Sequence, residues 1–222
     1  MSKVVKLQAS DSHEFDAYVA LPNGKPRAGL VVVQEIFGVN EHIRSLADRF
    51  AQEGFFAVAP AIFDRAEKHV ELGYDSTGMQ KGMALLQRIG IDDTVKDVDA
   101  ALHYASSETG KPAGVVGYCY GGTLAWLSAT RLAPGAVVGY YGGHIVKFVE
   151  EKPRVPVMLH FGKKDDHIPE SDVAKVHAAH PEVEIYWYDA GHGFNCEMRG
   201  SYNEKAAKEA MVRTLAFFNK HL

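Results

Sequence analysis

Short apolar runs alternate with amphipathic stretches along the whole chain. Gly29-Leu30-Val31-Val32-Val33 is apolar throughout, as expected of a strand covered on both faces. Phe55-Phe56-Ala57-Val58-Ala59-Pro60, Gly114-Val115-Val116, Ala136 to Tyr141 and Pro156-Val157-Met158-Leu159-His160-Phe161 read the same way. Two segments alternate apolar and polar residues instead. Phe15 to Leu21 predicts an early antiparallel edge strand, closed by the turn residues Pro22-Asn23-Gly24-Lys25-Pro26. Val183 to Tyr188 predicts a half-buried strand.

Helical spacing fills the intervals. Asn40 caps a helix running through Glu53, with Ile43, Leu46, Ala47 and Phe50 on one face and Gly54 ending it. Asp93 or Thr94 caps a second helix through about Ser106, with Val95, Val98, Leu102 and Ala105 inward. Thr123 to Arg131 and a short stretch near Asp172 to Ala179 are helix-compatible. Glu204 to Leu222 carries Met211, Leu215, Phe218 and Leu222 on an apolar face. Phe63 to Ile91 is the least regular and most polar stretch, and reads as a cap or lid segment. Sustained βα alternation predicts an α/β protein whose mostly parallel central sheet is flanked by helices on both faces. Neither a repeat nor a linker interrupts it, so residues 1–222 are expected to form one domain.

Composition narrows the chemistry. A chain of 222 residues with 46% hydrophobic and 23% charged residues is long enough for one globular α/β unit and short for two. A net charge of −4 without a basic cluster argues against nucleic acid as a partner. Two cysteines make no disulfide framework. Met1 to Gln8 lacks the apolar core of a signal peptide, and no apolar stretch approaches the ~18 residues that span a bilayer. The expectation is a cytoplasmic monomer with no membrane partner, whose compartment keeps thiols reduced.

Gly117-Tyr118-Cys119-Tyr120-Gly121-Gly122 is the most informative motif. It has the Gly-x-nucleophile-x-Gly shape of an α/β-hydrolase nucleophile elbow, with cysteine at the nucleophile position. A strand leads in and a helix leads out. The partners that a thiol needs follow in the order of that fold, nucleophile, acid, histidine. Asp165 or Asp166 lies beyond the Pro156–Phe161 strand, and His192 stands in Gly191-His192-Gly193-Phe194 beyond the next one. Loops at these strand ends cluster on one rim of a parallel sheet. The backbone N–H groups of Tyr120, after the nucleophile, and Ile36, after the first major strand, are the expected oxyanion donors.

The chain resembles the dienelactone hydrolase family, a cysteine-nucleophile branch of the α/β-hydrolases. The residues carrying the resemblance are Gln34-Glu35-Ile36-Phe37-Gly38, the Gly117–Gly122 motif, Gly162-x-x-Asp165-x-x-x-Pro169, Gly191-His192-Gly193-Phe194 and Arg199-x-x-Tyr202-Asn203-x-x-Ala206. The resemblance implies a Cys119–His192–Asp165 triad, choosing Asp165 over Asp166. It also implies that Glu35 meets the thiol and helps control its ionisation. It implies hydrolysis of a small ester or lactone. A thioesterase or acyl transferase with the same triad, and a non-catalytic binding protein, are the alternatives. One position departs from the family pattern: Cys196 stands four residues after the histidine, where dienelactone hydrolases carry a substrate-binding arginine.

Several polar residues have two readings. Arg199 and Tyr202 are either a surface pair or an anchor for a substrate carboxylate, with Arg199 also a candidate partner for Glu35. Tyr141 either lines the pocket or merely ends a strand. Cys119, His192 and Cys196 lack ordered metal-ligand spacing, so neither metal nor cofactor is expected. His160 and His103 fall within expected core elements.

Overall fold

A computed structural model describes all residues from Met1 to Leu222. In chain order its elements are β1 (Ser2–Gln8), β2 (Glu14–Ala20), β3 (Ala28–Val33), α1 (Glu41–Gln52), β4 (Phe55–Pro60), α2 (Ser76–Leu86), α3 (Ile91–Thr109), β5 (Gly114–Tyr118), α4 (Tyr120–Arg131), β6 (Val137–Tyr140), β7 (Val157–Gly162), α5 (Glu170–Ala179), β8 (Glu184–Tyr188) and α6 (Glu204–His221). The sheet order is β1-β2-β4-β3-β5-β6-β7-β8. β1 and β2 run antiparallel to their neighbours, and the six strands from β4 to β8 are parallel.

The fully apolar strands β3, β4 and β5 are buried at every position. Successive residues of a strand point to opposite faces, and β4 shows what each face meets. Phe55 packs against Phe50 of α1 and Phe218 of α6, while Phe56 packs against Tyr104 of α3. Helices therefore cover both faces, and the buried apolar side chains form one continuous cluster.

The departures from the sequence reading have local causes. β2 is not the edge strand; β1 lies outside it. β1 went unread because five of its seven residues are exposed and only Val5 and Leu7 are partly covered, too short a pattern to mark an edge strand. α3 starts at Ile91 behind Gly90, which makes no side-chain cap, and Asp92 and Asp93 lie in its first turn. There they oppose the partial positive charge of the helix start. α4 begins at Tyr120, directly after Cys119, rather than at Thr123. His103 is not a core residue: its side chain is 78% exposed on α3. His160 is buried, with Nδ1 2.9 Å from the Tyr188 hydroxyl and Nε2 3.1 Å from that of Thr214. Burial pushes His160 down to about 3, so it is a neutral core group.

The irregular stretch contains a 3-10 turn, Ile62–Arg65, and α2. Asp75 caps α2 by accepting from the Gly78 N–H at 2.7 Å. Arg65 fixes the turn to α3 through two 2.7 Å bonds to the buried Asp97 carboxylate.

Candidate active site

β5 delivers the chain to Cys119 between two glycines, Gly117 and Gly121, that have no room for a side chain. A Cβ on Gly117 would strike the Gly121 carbonyl oxygen, and one on Gly121 would strike those of Val33 and Gln34. Cys119 itself has φ 55°, a left-handed conformation that L-residues rarely adopt. The turn is held by bonds on both sides. Cys119 N–H donates to the Tyr140 carbonyl at 3.0 Å, and Gly121 N–H donates to Gln34 at 3.0 Å. The thiol stands at the start of α4.

His192 Nε2 lies 3.3 Å from Cys119 Sγ, and His192 Nδ1 lies 2.8 Å from Asp165 Oδ2. The other carboxylate oxygen of Asp165 accepts from the backbone N–H groups of His167 at 2.8 Å and Ile168 at 3.2 Å. Asp165 is thereby locked, whereas Asp166 is exposed. The Ser201 hydroxyl donates to the His192 carbonyl at 2.6 Å, and the rings of Tyr141 and His167 each stand 5.1 Å from the imidazole.

Burial alone disfavours a charged imidazole here. The bond to Asp165, and then that to Cys119, overcome it and push His192 up to about 10. Burial is likewise the largest effect on the Asp165 carboxylate and works against it, but the His192 bond, the imidazole charge and the His167 N–H bond together outweigh it and hold Asp165 below its usual range.

Ile36 and Tyr120 both border the cavity over the thiol. Tyr120, as the first residue of α4, has no intrahelical acceptor for its N–H. The Ile36 N–H makes no backbone hydrogen bond either. The Gly121–Gln34 bond ties together the two loops that carry them.

Glu35 was expected beside the thiol. Its fully buried carboxylate is instead held by two other groups: the Tyr74 hydroxyl donates to Oε2 at 2.8 Å, and Arg199 Nη1 lies 3.3 Å from Oε1. Arg199 also sits over the rings of Tyr74 and Phe37, at 5.6 and 5.8 Å. Tyr74 comes from the irregular segment, and nothing in its local sequence marked it.

The possible metal ligands also differ from those weighed by spacing. The donor atoms of Glu35, His42 and Cys196 lie within 4.8 Å of one another. All three residues are fully buried, and His42 Nδ1 is 3.1 Å from Glu197 Oε2. Arg199 and Tyr74 already supply Glu35 with a cation and a donor, so the carboxylate needs no ion to balance it.

Two expected substrate contacts are corrected. Tyr141 is fully buried and packs behind the site, against Tyr118, Tyr140 and Phe194. Tyr202 is 40% exposed and follows Arg199 in a turn, its N–H bonded to the Arg199 carbonyl at 3.0 Å. Neither lines the cavity over the thiol. That cavity, of about 380 Å³, is bordered by Cys119, His192 and Arg199 together with apolar groups from the β3 loop and α2. A larger hollow near Lys152 and Phe217, about 670 Å³, contains none of the candidate residues.

Known proteins match nearly the whole chain. The model of the dienelactone hydrolase family matches residues 15–222. A carboxymethylenebutenolidase of Pseudomonas putida is 32% identical over 227 residues, covering 98% of this chain and 96% of its own. One from Cupriavidus pinatubonensis is 30% identical over 224 residues, covering 97% and 95%. A Klebsiella pneumoniae crystal structure, described as a candidate dienelactone hydrolase, superposes with a TM-score of 0.84 at 31% identity, covering 99% of both chains. An esterase from Pyrococcus furiosus shares the fold alone, with a TM-score of 0.74 at 16% identity. The α/β-hydrolase fold, the family match and the curated relatives agree: the chain belongs to the dienelactone hydrolase family and is a carboxylic ester hydrolase.

Proposed function

We propose that this enzyme cleaves a small ester or lactone through a Cys119–His192–Asp165 triad and an acyl-thioester intermediate. The observation that carries the reading is the unbroken run from Cys119 Sγ to His192 at 3.3 Å and from His192 to Asp165 at 2.8 Å.

Each group has one task. His192 holds the thiol proton, leaving a thiolate at the helix start. The thiolate attacks the substrate carbonyl carbon, and the carbonyl electron pair moves onto oxygen. The Ile36 and Tyr120 N–H groups receive that oxyanion, each such donor being worth roughly 3–4 kcal/mol. As the C=O bond reforms, the C–O bond to the alcohol breaks, and the alkoxide takes the proton from His192. With a lactone, the alcohol stays tethered to the acyl group. Water then loses a proton to His192 and attacks the thioester, and the thiolate departs from the free acid. Asp165 fixes the imidazole so that Nε2 faces the sulfur throughout. Glu35 neutralises Arg199 at the edge of the cavity. A half-exposed catalytic thiol works only where it stays reduced, which favours a cytoplasmic setting.

Trapping the intermediate tests this reading. A slowly turned-over activated ester, quenched in acid and mapped by peptide mass spectrometry, is expected to leave its acyl group on the Cys119 peptide. Acylation elsewhere, or full turnover by a folded Cys119→Ala variant, refutes it.

A further inference from the structure

One face of α2 is only partly covered by the protein: Met79 and Leu86 are half-buried against the core, and Met83 is exposed. Met79, Met83 and Leu86 follow at helical spacing of four and three residues, so their side chains form one stripe. All three border the cavity over Cys119. Met83 is 46% exposed, an unusual place for a large apolar side chain on a helix that otherwise buries Gly78, Gly82 and Leu85.

The stripe is held in position by close backbone contact. Gly82 lies directly on the Ile36 carbonyl, and a Cβ there would strike that oxygen. α2 therefore packs on the oxyanion loop. The carbonyl oxygen takes the backbone donors and the leaving alcohol must face His192 to be protonated, so the α2 stripe beside the loop is left to the acyl arm.

The charge lining the cavity is equally specific. Arg199 is the one lining residue with a permanent positive charge, and Glu35 already takes it at 3.3 Å. His144 is held below its usual range, by burial first and then by Lys147, and so is neutral. A substrate carboxylate finds no unpaired cation, whereas an alkyl chain finds two methionines and a leucine. Methionine side chains adapt to varied apolar shapes.

We propose that the natural substrates are uncharged esters whose aliphatic acyl chain lies along the Met79–Met83–Leu86 stripe of α2. This rests on the Cys119 reading above and adds the substrate class to it. Each methylene buried on the stripe should raise kcat/KM about fourfold.

The test uses p-nitrophenyl acetate, butanoate and hexanoate, with the mono-p-nitrophenyl ester of hexanedioic acid as the charged comparator. The expected rise from acetate to hexanoate is on the order of a hundredfold in kcat/KM. The comparator is expected to be at least about tenfold slower than hexanoate, since its carboxylate would have to be desolvated without a partner. In Met79→Gln/Met83→Gln, which keeps good helix formers, the hexanoate-to-acetate ratio should fall most of the way to unity. A flat series, an undiminished ratio in the double variant, or a comparator as fast as hexanoate overturns the substrate class while leaving the triad standing. No turnover of any member overturns the triad reading as well.

Discussion

Replacing Asp165 by asparagine tests the triad at its most constrained point. The carboxylate accepts from three donors: His192 Nδ1 at 2.8 Å, His167 N–H at 2.8 Å and Ile168 N–H at 3.2 Å. An asparagine has one acceptor oxygen and one donor nitrogen. If its oxygen stays on the two loop amides, its NH₂ faces His192 Nδ1. The imidazole must then accept there and carry its proton on Nε2, pointing at Cys119. In that tautomer it cannot take the thiol proton. If the amide flips, its NH₂ meets two N–H groups and the loop must shift. Loss of the orienting acid costs about 10⁴-fold in a serine enzyme. A thiol depends less on its base, and general base catalysis as a whole contributes about 10²–10⁴. The expected loss in kcat/KM is therefore on the order of 10³, or about 4 kcal/mol of barrier. Asp166→Asn alters an exposed side chain and is expected to stay within about twofold of the parent enzyme. Initial rates on p-nitrophenyl acetate, with melting curves to confirm folding, decide between them. A loss at Asp165 below tenfold, or an equal loss at Asp166, refutes the tautomer argument.

Four further outcomes follow from the same geometry. Iodoacetamide is expected to label Cys119, which is partly exposed, and to spare the fully buried Cys196 in native protein; equal labelling by peptide mapping counts against it. Because His192 is raised from 6.5 to about 10, its stabilising contribution is complete below pH ~6.5 and declines as pH rises through 10. The melting-temperature deficit of His192→Gln should accordingly shrink between pH 6 and pH 10, and a flat or growing deficit contradicts the shift. Arg199→Met leaves Glu35 buried without its cation and should destabilise by about 3 kcal/mol, whereas Glu35→Gln keeps the Tyr74 bond and should cost about 1 kcal/mol. Urea denaturation showing the reverse order rejects the ion-pair reading. Gly82→Ala should lift α2 from the Ile36 carbonyl and lower kcat by about tenfold or more through the displaced oxyanion donor, and unchanged kcat would show that the contact is slack.

The sequence revealed most where a structural demand is local. The elbow was legible because two close backbone approaches require glycine within four residues of each other, at Gly117 and Gly121. β3, β4 and β5 were legible because burial on both faces leaves a continuous apolar run. Asp165 and His192 were legible as loop residues past strand ends, but spacing alone left Asp166 open until the family resemblance chose. What stayed hidden is set by long-range contact. Tyr74 reaches Glu35 across 39 residues, from a segment without periodicity. His42 reads as a polar residue in the first turn of α1, yet folding brings it to Glu35 and Cys196. Tyr141 was misjudged because its backbone turns to φ 39° just past β6, which buries the ring behind the imidazole rather than over the thiol. The Met79–Met83–Leu86 stripe has the spacing of an ordinary core face, and only the folded chain shows that it faces a cavity.

The loop after β3 accounts for why these distant pieces act on one another. Gln34 accepts the Ile62 N–H on its side chain at 3.1 Å and the Gly121 N–H on its carbonyl at 3.0 Å, so it joins the irregular segment to the elbow. Glu35 binds Tyr74 of that segment and Arg199 of the stretch beyond His192. Ile36 borders the cavity over the thiol and turns its carbonyl to the face of Gly82. Phe37 accepts the Leu72 N–H at 2.8 Å. Four consecutive residues thus touch the nucleophile turn, the histidine side and the segment that carries α2. In the proposed mechanism Ile36 is an oxyanion donor, which works best when its position is fixed before the charge arrives, and it is flanked by neighbours pinned from three directions. The same wiring makes the Ile36 N–H the point where a displacement of α2 by an acyl chain would be felt first. Under the two proposals together, chain binding and oxyanion stabilisation are coupled through one peptide, and a well-filled stripe would act on kcat as well as on KM.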